Sequence, residues 1–203
     1  MKIARRSSCA LIGLFTLTFL PIGCKTKDTE NRRVAARWKK PVLIAPPIGQ
    51  GTSAKKIRSR VYWNNLATLI DSMYEIQLDD KGTKPLVLYQ IGGEVCGLVA
   101  EEINKLQTES VDEDAVRAGQ KTYATLLTAK AFYTEWGPMA KALADDPSAL
   151  SKDDPGHSFG AGVAAGQKQS ALELQTQIEI AKAHALLVSR YNGVDFKVPH
   201  EFK

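Results

Sequence analysis

Apolar side chains recur at helical spacing in four separate stretches of the chain. The first stretch follows Ser53, whose hydroxyl suits a helix N-cap, and it runs to the turn signal Asp79-Asp80-Lys81-Gly82. Because apolar positions three or four residues apart share one side of a helix, they predict a stripe that faces a core. The stripe of the first helix comprises Ile57, Val61, Leu66, Leu69, Ile70 and Met73.

The second stretch covers residues 85–107 and begins with Pro85, a residue that fits the first position of a helix. Its apolar period favours a helix, although three glycines, at positions 92, 93 and 97, each cost about 1 kcal/mol relative to Ala. A short strand over Leu86–Ile91 is the alternative. The helical stripe comprises Val87, Ile91, Val95, Leu98, Val99, Ile103 and Leu106.

The third stretch has the clearest helical pattern. Ser110-Val111-Asp112-Glu113 has the form of a capping box at its start. Pro138 falls inside the stretch, where it predicts either a kink after Thr134 or a division into two helices. The apolar and small residues alternate at spacings of three and four, which is typical of a bundle seam. This seam comprises Ala115, Gly119, Thr122, Leu126, Ala129, Tyr133, Trp136, Ala140 and Leu143.

The fourth stretch is predicted to form a helix from about Phe159 to Tyr191, after a polar loop at residues 146–158 and before the stop signal Asn192-Gly193. Its first turns, residues 160–166, contain mainly Gly and Ala, which permit either close helix packing or a flexible loop. The predicted seam of this helix comprises Ala164, Ala171, Leu174, Ile178, Ala181, Ala185 and Val188.

Four amphipathic helices with mostly short connections predict an all-α protein, an antiparallel four-helix bundle. An extended tether with several Pro and Gly residues precedes the bundle, and we expect Trp38 and residues 41–45 to add an extended segment along it. The tail after Gly193 is expected to fold back on the bundle. The predicted organisation is a signal peptide at 1–23, a basic tether at 24–53 and a helical domain with a short tail at 54–203.

The N-terminus has the organisation of a secretory signal peptide. Lys2, Arg5 and Arg6 precede an apolar run, Cys9–Gly23, that is shorter than the roughly 20 residues a membrane span needs. The run ends in Leu20-Pro21-Ile22-Gly23-Cys24, which resembles the lipobox of bacterial lipoproteins. That resemblance implies cleavage before Cys24 and attachment of diacylglycerol and further acyl chains such as palmitate to this residue. Ordinary cleavage and an uncleaved segment are the alternatives.

The resemblance also bears on location and partners. A lipid on Cys24 would anchor the protein to a membrane of the cell envelope, and multiple acyl chains give stable anchoring. Residue 25 is Lys rather than Asp, which by resemblance to enterobacterial sorting favours the outer membrane, with the domain facing the periplasm or the exterior. We expect an envelope protein as partner.

The composition is that of an ordinary globular protein, with 44% hydrophobic and 24% charged residues, and it excludes collagen-like, wholly disordered and multi-span membrane chains. The net charge of +5 is unevenly distributed, because residues 24–60 contain eleven Lys and Arg but only two acidic residues. This basic segment would either lie on an anionic membrane surface or act as a solvated linker. It lacks any nucleic-acid-binding motif, so no nucleic-acid partner is expected.

Candidate catalytic groups are few. The chain has no Glu-x-x-His pair on two helices, no His-Glu-x-x-His and no Cys-x-x-Cys, so we expect no metal and no cofactor. Cys96 is the one free thiol if Cys24 is acylated, and its apolar neighbours predict burial rather than reactivity. Glu101-Glu102 is expected to be a solvated helix face.

An aromatic cluster on the third helix is the main candidate for a ligand or partner groove. Tyr133, Trp136 and Met139 would line it together with His184 of the fourth helix, although core packing is the simpler interpretation. We therefore expect a non-catalytic binding or scaffolding domain on a lipid anchor, which would expose an apolar patch. The alternatives are a helical sensor or small-ligand binder that uses this groove, and a thiol enzyme at Cys96.

Overall fold

The computed structural model of the protein describes residues 38–48, 51–75, 85–145, 155–192 and 194–199. They contain four helices: α1 (Thr52–Ser72), α2 (Pro85–Asn104), α3 (Glu113–Asp145) and α4 (Pro155–Arg190). The prediction of an all-α four-helix fold is confirmed. Because residues 85–90 belong to α2, the alternative of a strand there is wrong.

The helix boundaries differ from the predicted ones at several ends. Gly51, with φ 101°, is the N-cap of α1, and its carbonyl accepts a bond from Lys55 N at 3.0 Å. A left-handed φ of this kind suits Gly, whereas the predicted cap, Ser53, is already helical. At its other end α1 stops at Ser72, earlier than the predicted turn at residues 79–82, which lies outside the described residues.

The start of α3 is capped by Asp112, not by Ser110. Asp112 Oδ1 accepts a hydrogen bond from Asp114 N at 3.1 Å, and the backbone N–H of Asp112 donates to Ser59 Oγ at 2.8 Å. Ser110 instead has a left-handed backbone with φ 56°, so the predicted capping box is wrong. Farther along, α3 is continuous through Pro138, which excludes the predicted division into two helices.

The predicted seam of α3 forms the centre of the core. Its residues from Ala115 to Tyr133 are buried and Trp136 is half-buried, while the side chains of Ala140 and Leu143 lie outside the described part. Helices α1 and α2 both contribute buried side chains to the core around this seam, and those of α1 are mainly large. The largest fully buried apolar side chains are Trp63, Leu66, Leu69, Val99 and Leu187.

Three contacts show that α3 and α4 run in opposite directions. Arg190 at the end of α4 bonds to Asp112 beside the start of α3. Farther into α3, Thr125 and Thr176 share a buried hydrogen bond of 2.6 Å between their hydroxyls. Near the start of α4, a Cβ on Gly166 would lie 3.9 Å from Phe132 Cζ. Residue numbers rise along one helix as they fall along the other.

Two extended segments lie along α1, and neighbouring asparagines hold them. Residues 38–48 form the N-terminal strap, in which Ile44 N and O bond to the Asn65 amide at 2.9 and 2.8 Å. Residues 194–199 form the C-terminal strap, in which Lys197 N donates to Asn64 Oδ1 at 2.8 Å and Phe196 is buried. Both expectations, an extended segment before the bundle and a tail folded back on it, are confirmed.

Candidate functional site

The predicted seam of α4 faces solvent instead of the core. We call these seven residues, at positions 164, 171, 174, 178, 181, 185 and 188, the outer face of α4. All are exposed, with exposed fractions of 57% for Leu174 and 45% for both Ile178 and Val188. The prediction that they pack in the bundle is therefore wrong, and the structure leaves an apolar stripe uncovered.

The opposite side of α4 packs against the bundle. Its buried residues are Gln169, Thr176, Ile180, Ala183 and Leu187. This second stripe has the same three- and four-residue spacing as the outer face, but it includes two polar residues, which makes it the less apolar of the two. Thr176 bonds to Thr125 and Gln169 Nε2 donates to Glu173 Oε1 at 2.9 Å, whereas Gln169 Oε1 is buried without a hydrogen-bond partner among the described residues.

The outer face is uncharged over its whole length. At 100° per residue it occupies roughly a third of the helix circumference, and it extends for about 36 Å from Ala164 to Val188. Gln167 and Ser170 are the uncharged polar residues within this arc, and Gln177 lies just outside it. The nearest cations, Lys168 and Lys182, lie at one edge, where Lys182 Nζ pairs with Glu179 Oε1 at 3.3 Å. Such a stripe is typical of a surface that binds another apolar surface.

The groove predicted at Tyr133, Trp136, Met139 and His184 is not assembled by the described side chains. His184 precedes Arg190 by less than two turns of α4, so it lies level with the start of α3, and Tyr133 is about four turns farther along the bundle. Tyr133 is buried against α2, with ring atoms 3.3 Å from a Cβ built on Gly92. The side chain of Met139 lies outside the described part.

The contacts of His184 are with Trp63 and with the C-terminal strap. Its ring lies 5.7 Å from the Trp63 ring, centroid to centroid, and Nε2 is 3.2 Å from the carbonyl oxygen of Phe196. The Trp63 indole N–H donates to the next carbonyl along the chain, that of Lys197, at 2.9 Å. The histidine thus helps to hold the C-terminal strap, which is the core or boundary role that its position on α4 predicts.

Cys96 is buried, as its apolar neighbours predict. Burial, together with the charge of Glu173, raises the pKa of the thiol to about 12. A nucleophilic cysteine needs an exposed site and a lowered pKa, because the thiolate is the reactive form. The environment of Cys96 therefore opposes thiol catalysis.

Sequence reasoning missed a buried charged cluster where α3 begins and α4 ends. Asp112, 1% exposed, accepts bonds from Arg190 Nη1 at 2.6 and 2.7 Å and from Tyr191 Oη at 2.8 Å. Burial alone would raise the pKa of Asp112, but these hydrogen bonds outweigh burial and hold the pKa below its ordinary value. With its oxygens occupied by Arg190, Tyr191 and the cap of α3, this carboxylate joins two helices and is not free to react.

A second carboxylate departs from its predicted environment. Glu102 was expected to lie on a solvated face with Glu101, but it is 8% exposed and pairs with Lys40 at 2.6 Å and Lys105 at 2.7 Å. Hydrogen bonds from Lys105 and Lys40 lower its pKa. Because Lys40 belongs to the N-terminal strap, Glu102 connects that strap to α2.

Cys24 and the predicted signal peptide lie outside the described residues, as does most of the basic tether. Among the helices that the structure describes, none is long and apolar enough to cross a membrane. The described side chains also contain no group of three or more His, Cys, Asp or Glu that could hold a metal ion.

No protein-family model, no curated protein and no solved structure matches the chain. Function is therefore inferred from this chain's own residues, of which the outer face of α4 is the most informative.

Proposed function

We propose that this protein is a non-catalytic scaffolding or binding protein of the bacterial cell envelope, anchored by a lipid on Cys24. The observation that carries the binding role is the outer face of α4, an apolar stripe exposed on a bundle that has a well-packed core elsewhere. The anchor rests on the lipobox-like sequence that ends at Cys24. A monomeric soluble domain rarely leaves so long a stripe uncovered, because covering it removes apolar surface from water.

The described polar clusters support a non-catalytic role. Asp112 is fully engaged in joining α3 to α4, and Glu102 is engaged in joining the N-terminal strap to α2. Cys96 has a raised pKa, and His184 contacts Trp63 and the C-terminal strap. Burial or a structural contact accounts for the environment of each of these groups, whereas no such role is seen for the outer face within the part of the chain that the structure describes.

The anchor is tested by the mass and location of the protein in its own host. We expect the mature species to begin at Cys24, to carry a diacylglyceryl-type adduct and to fractionate with membranes. The variant Cys24→Ser should accumulate as an unprocessed or lipid-free form, while the matched variant Cys9→Ser, within the signal peptide, should be processed normally. A lipid-free wild-type protein in the soluble fraction would refute the anchor.

The docking role is tested by placing a photo-crosslinking amino acid at Leu174 of the outer face in living cells. The matched control is Leu127 of α3, which is also exposed, at 40%, but lies off the outer face. We expect one discrete crosslinked species from position 174 and none from position 127. An absence of crosslinks at 174, with the protein folded and at its normal level, would contradict the role of this surface.

A further inference from the structure

The outer face of α4 has a regular repeat that restricts what can cover it. In a seven-residue repeat written a to g, Ala164, Ala171, Ile178 and Ala185 occupy a, while Gln167, Leu174, Ala181 and Val188 occupy d, so that Gln167 is the one polar residue in the seam. An apolar period of 3.5 residues matches the left-handed supercoil of a coiled coil. A second helix with the same repeat can follow such a stripe over its full length, whereas a flat or irregular surface would meet only a turn or two.

We infer that the occupant is a second copy of this chain, and that two α4 helices pair in parallel and in register through their outer faces. The inference rests on the proposed docking role of this surface and names its partner. In such a pair each a residue meets the same a residue, and each d meets the same d, so Leu174 and Ile178 form adjacent layers. Leu at d beside Ile at a favours a two-stranded parallel coil.

The charges along the edges of the face select the parallel arrangement. In parallel, position g of one helix faces position e of the next heptad on the other, so Gln177 meets Lys182 and His184 meets Ser189 of the second copy. Antiparallel pairing with full overlap would place Lys168 opposite Lys182 of the second copy twice along one edge. Because like charges in contact repel, that arrangement is disfavoured.

The proposed anchor agrees with the parallel arrangement. A parallel pair has a two-fold axis along the helices, so both chains enter from the same end and both lipids can occupy one membrane. The bundle face of α4 remains buried within each copy, because it lies on the opposite side of the helix. The pairing therefore requires no rearrangement of either bundle.

The experiment is a mass measurement of the full-length lipidated protein purified in detergent, over a range of concentrations. We expect a dimer whose dissociation constant rises at least about a hundredfold in Leu174→Asp/Ile178→Asp, because the pair would bury unpaired charges at its centre. The matched variant Leu127→Asp, with an exposed leucine on another helix, should leave the dimer intact. Circular dichroism will show that all three proteins keep their helical content.

Disulfide trapping in membranes tests the orientation. A parallel, in-register pair predicts that Leu174→Cys forms a disulfide with itself, whereas a mixture of Lys168→Cys and Lys182→Cys proteins does not crosslink. A folded wild-type monomer at all concentrations would overturn the inference, as would crosslinking of the lysine positions alone. If position 174 crosslinks to a different protein while the chain remains monomeric, the self-pairing is wrong but the proposed docking function stands. If it crosslinks to nothing, both fail.

Discussion

Asp112 combines three tasks in one buried carboxylate, because it caps α3, pairs with Arg190 and accepts a bond from the Tyr191 hydroxyl. We predict that Asp112→Asn lowers the free energy of unfolding by about 1.5–3 kcal/mol, because an amide can still cap α3 but loses the charged bonds to Arg190. Chemical denaturation will measure the loss. The neighbouring, exposed Glu113→Gln is the control and should cost less than about 0.5 kcal/mol.

The same carboxylate makes the free energy of unfolding depend on pH in the acidic range. Its pKa is lower in the folded protein than the ordinary value of 3.8, so its contribution is complete above that value and is lost as the pH falls through the folded-state pKa. The wild-type protein should therefore lose more stability than Asp112→Asn between pH 5 and strongly acidic conditions. Equal acid sensitivity in the two proteins would contradict this assignment.

Glu173 has the opposite dependence. Burial raises its pKa above 4.5, against a smaller lowering effect of the bond from Gln169, so the ionised form destabilises the folded protein. Stability is lost as the pH rises from 4.5 through the folded-state pKa. We predict that Glu173→Gln raises the melting temperature at pH 7 but not at pH 4. Glu179→Gln, on the surface of the same helix, should have little effect at either pH, as melting curves will show.

At the scale of elements, the two straps depend on adjacent asparagines of α1 that serve different segments. Asn65 bonds to both backbone groups of Ile44, and Asn64 accepts from the N–H of Lys197. We predict that Asn65→Ala increases hydrogen exchange in residues 38–48 while residues 194–199 stay protected, and that Asn64→Ala does the reverse. Each variant is the control for the other, and equal exchange changes in both straps would contradict separate anchoring.

The packing of α1 on α3 depends on the absence of a side chain at Gly119. A Cβ there would collide with the Tyr62 hydroxyl and lie 3.1 Å from Tyr62 Cζ. We predict that Gly119→Ala lowers the free energy of unfolding by about 1–3 kcal/mol through overpacking, and that adding Tyr62→Phe recovers part of the loss.

Gly166→Ala on α4 is the matched control for this substitution. A Cβ at Gly166 meets only Phe132 Cζ, at an ordinary contact distance of 3.9 Å, so the better helix propensity of Ala should add about 0.5–1 kcal/mol. Thermal and chemical denaturation will compare the two glycines. A gain in stability at both positions would show that α1 and α3 are not packed closely at Gly119.

At the scale of the whole molecule, Cys96 reports on the integrity of the bundle. The thiol is 5% exposed on α2, and its pKa of about 12 leaves almost no thiolate at neutral pH. We predict that alkylation of Cys96 follows the same denaturant midpoint as the loss of helical circular dichroism. Glu94→Cys, at an exposed position of the same helix, should react without denaturant. Fast alkylation of Cys96 in the native protein would indicate local opening of α2.

The apolar periodicity predicted the four helices well, because the spacing of three and four residues depends only on the geometry of the helix itself. The four helices, the α3 seam and both extended segments on the bundle agree with the structure. Helix ends were predicted less well, since Gly51 and Asp112 act as caps through backbone geometry and contacts with other segments. The predicted aromatic groove is not formed, because Tyr133 and His184 lie about four turns apart along two antiparallel helices. Periodicity places each residue on a face of its own helix but does not give its level relative to the other helix.

The sequence by itself determined that this protein is helical, where its helices lie and which side of α3 forms the core, because each depends on spacing along one chain segment. Only the tertiary structure decided which side of α4 is buried. That helix has apolar stripes on two opposite sides, and both satisfy the same periodicity. The buried side is the one along which other elements offer partners, since Thr176 bonds to Thr125 and Arg190 bonds to Asp112, and such contacts between elements are not encoded in the periodicity of one segment.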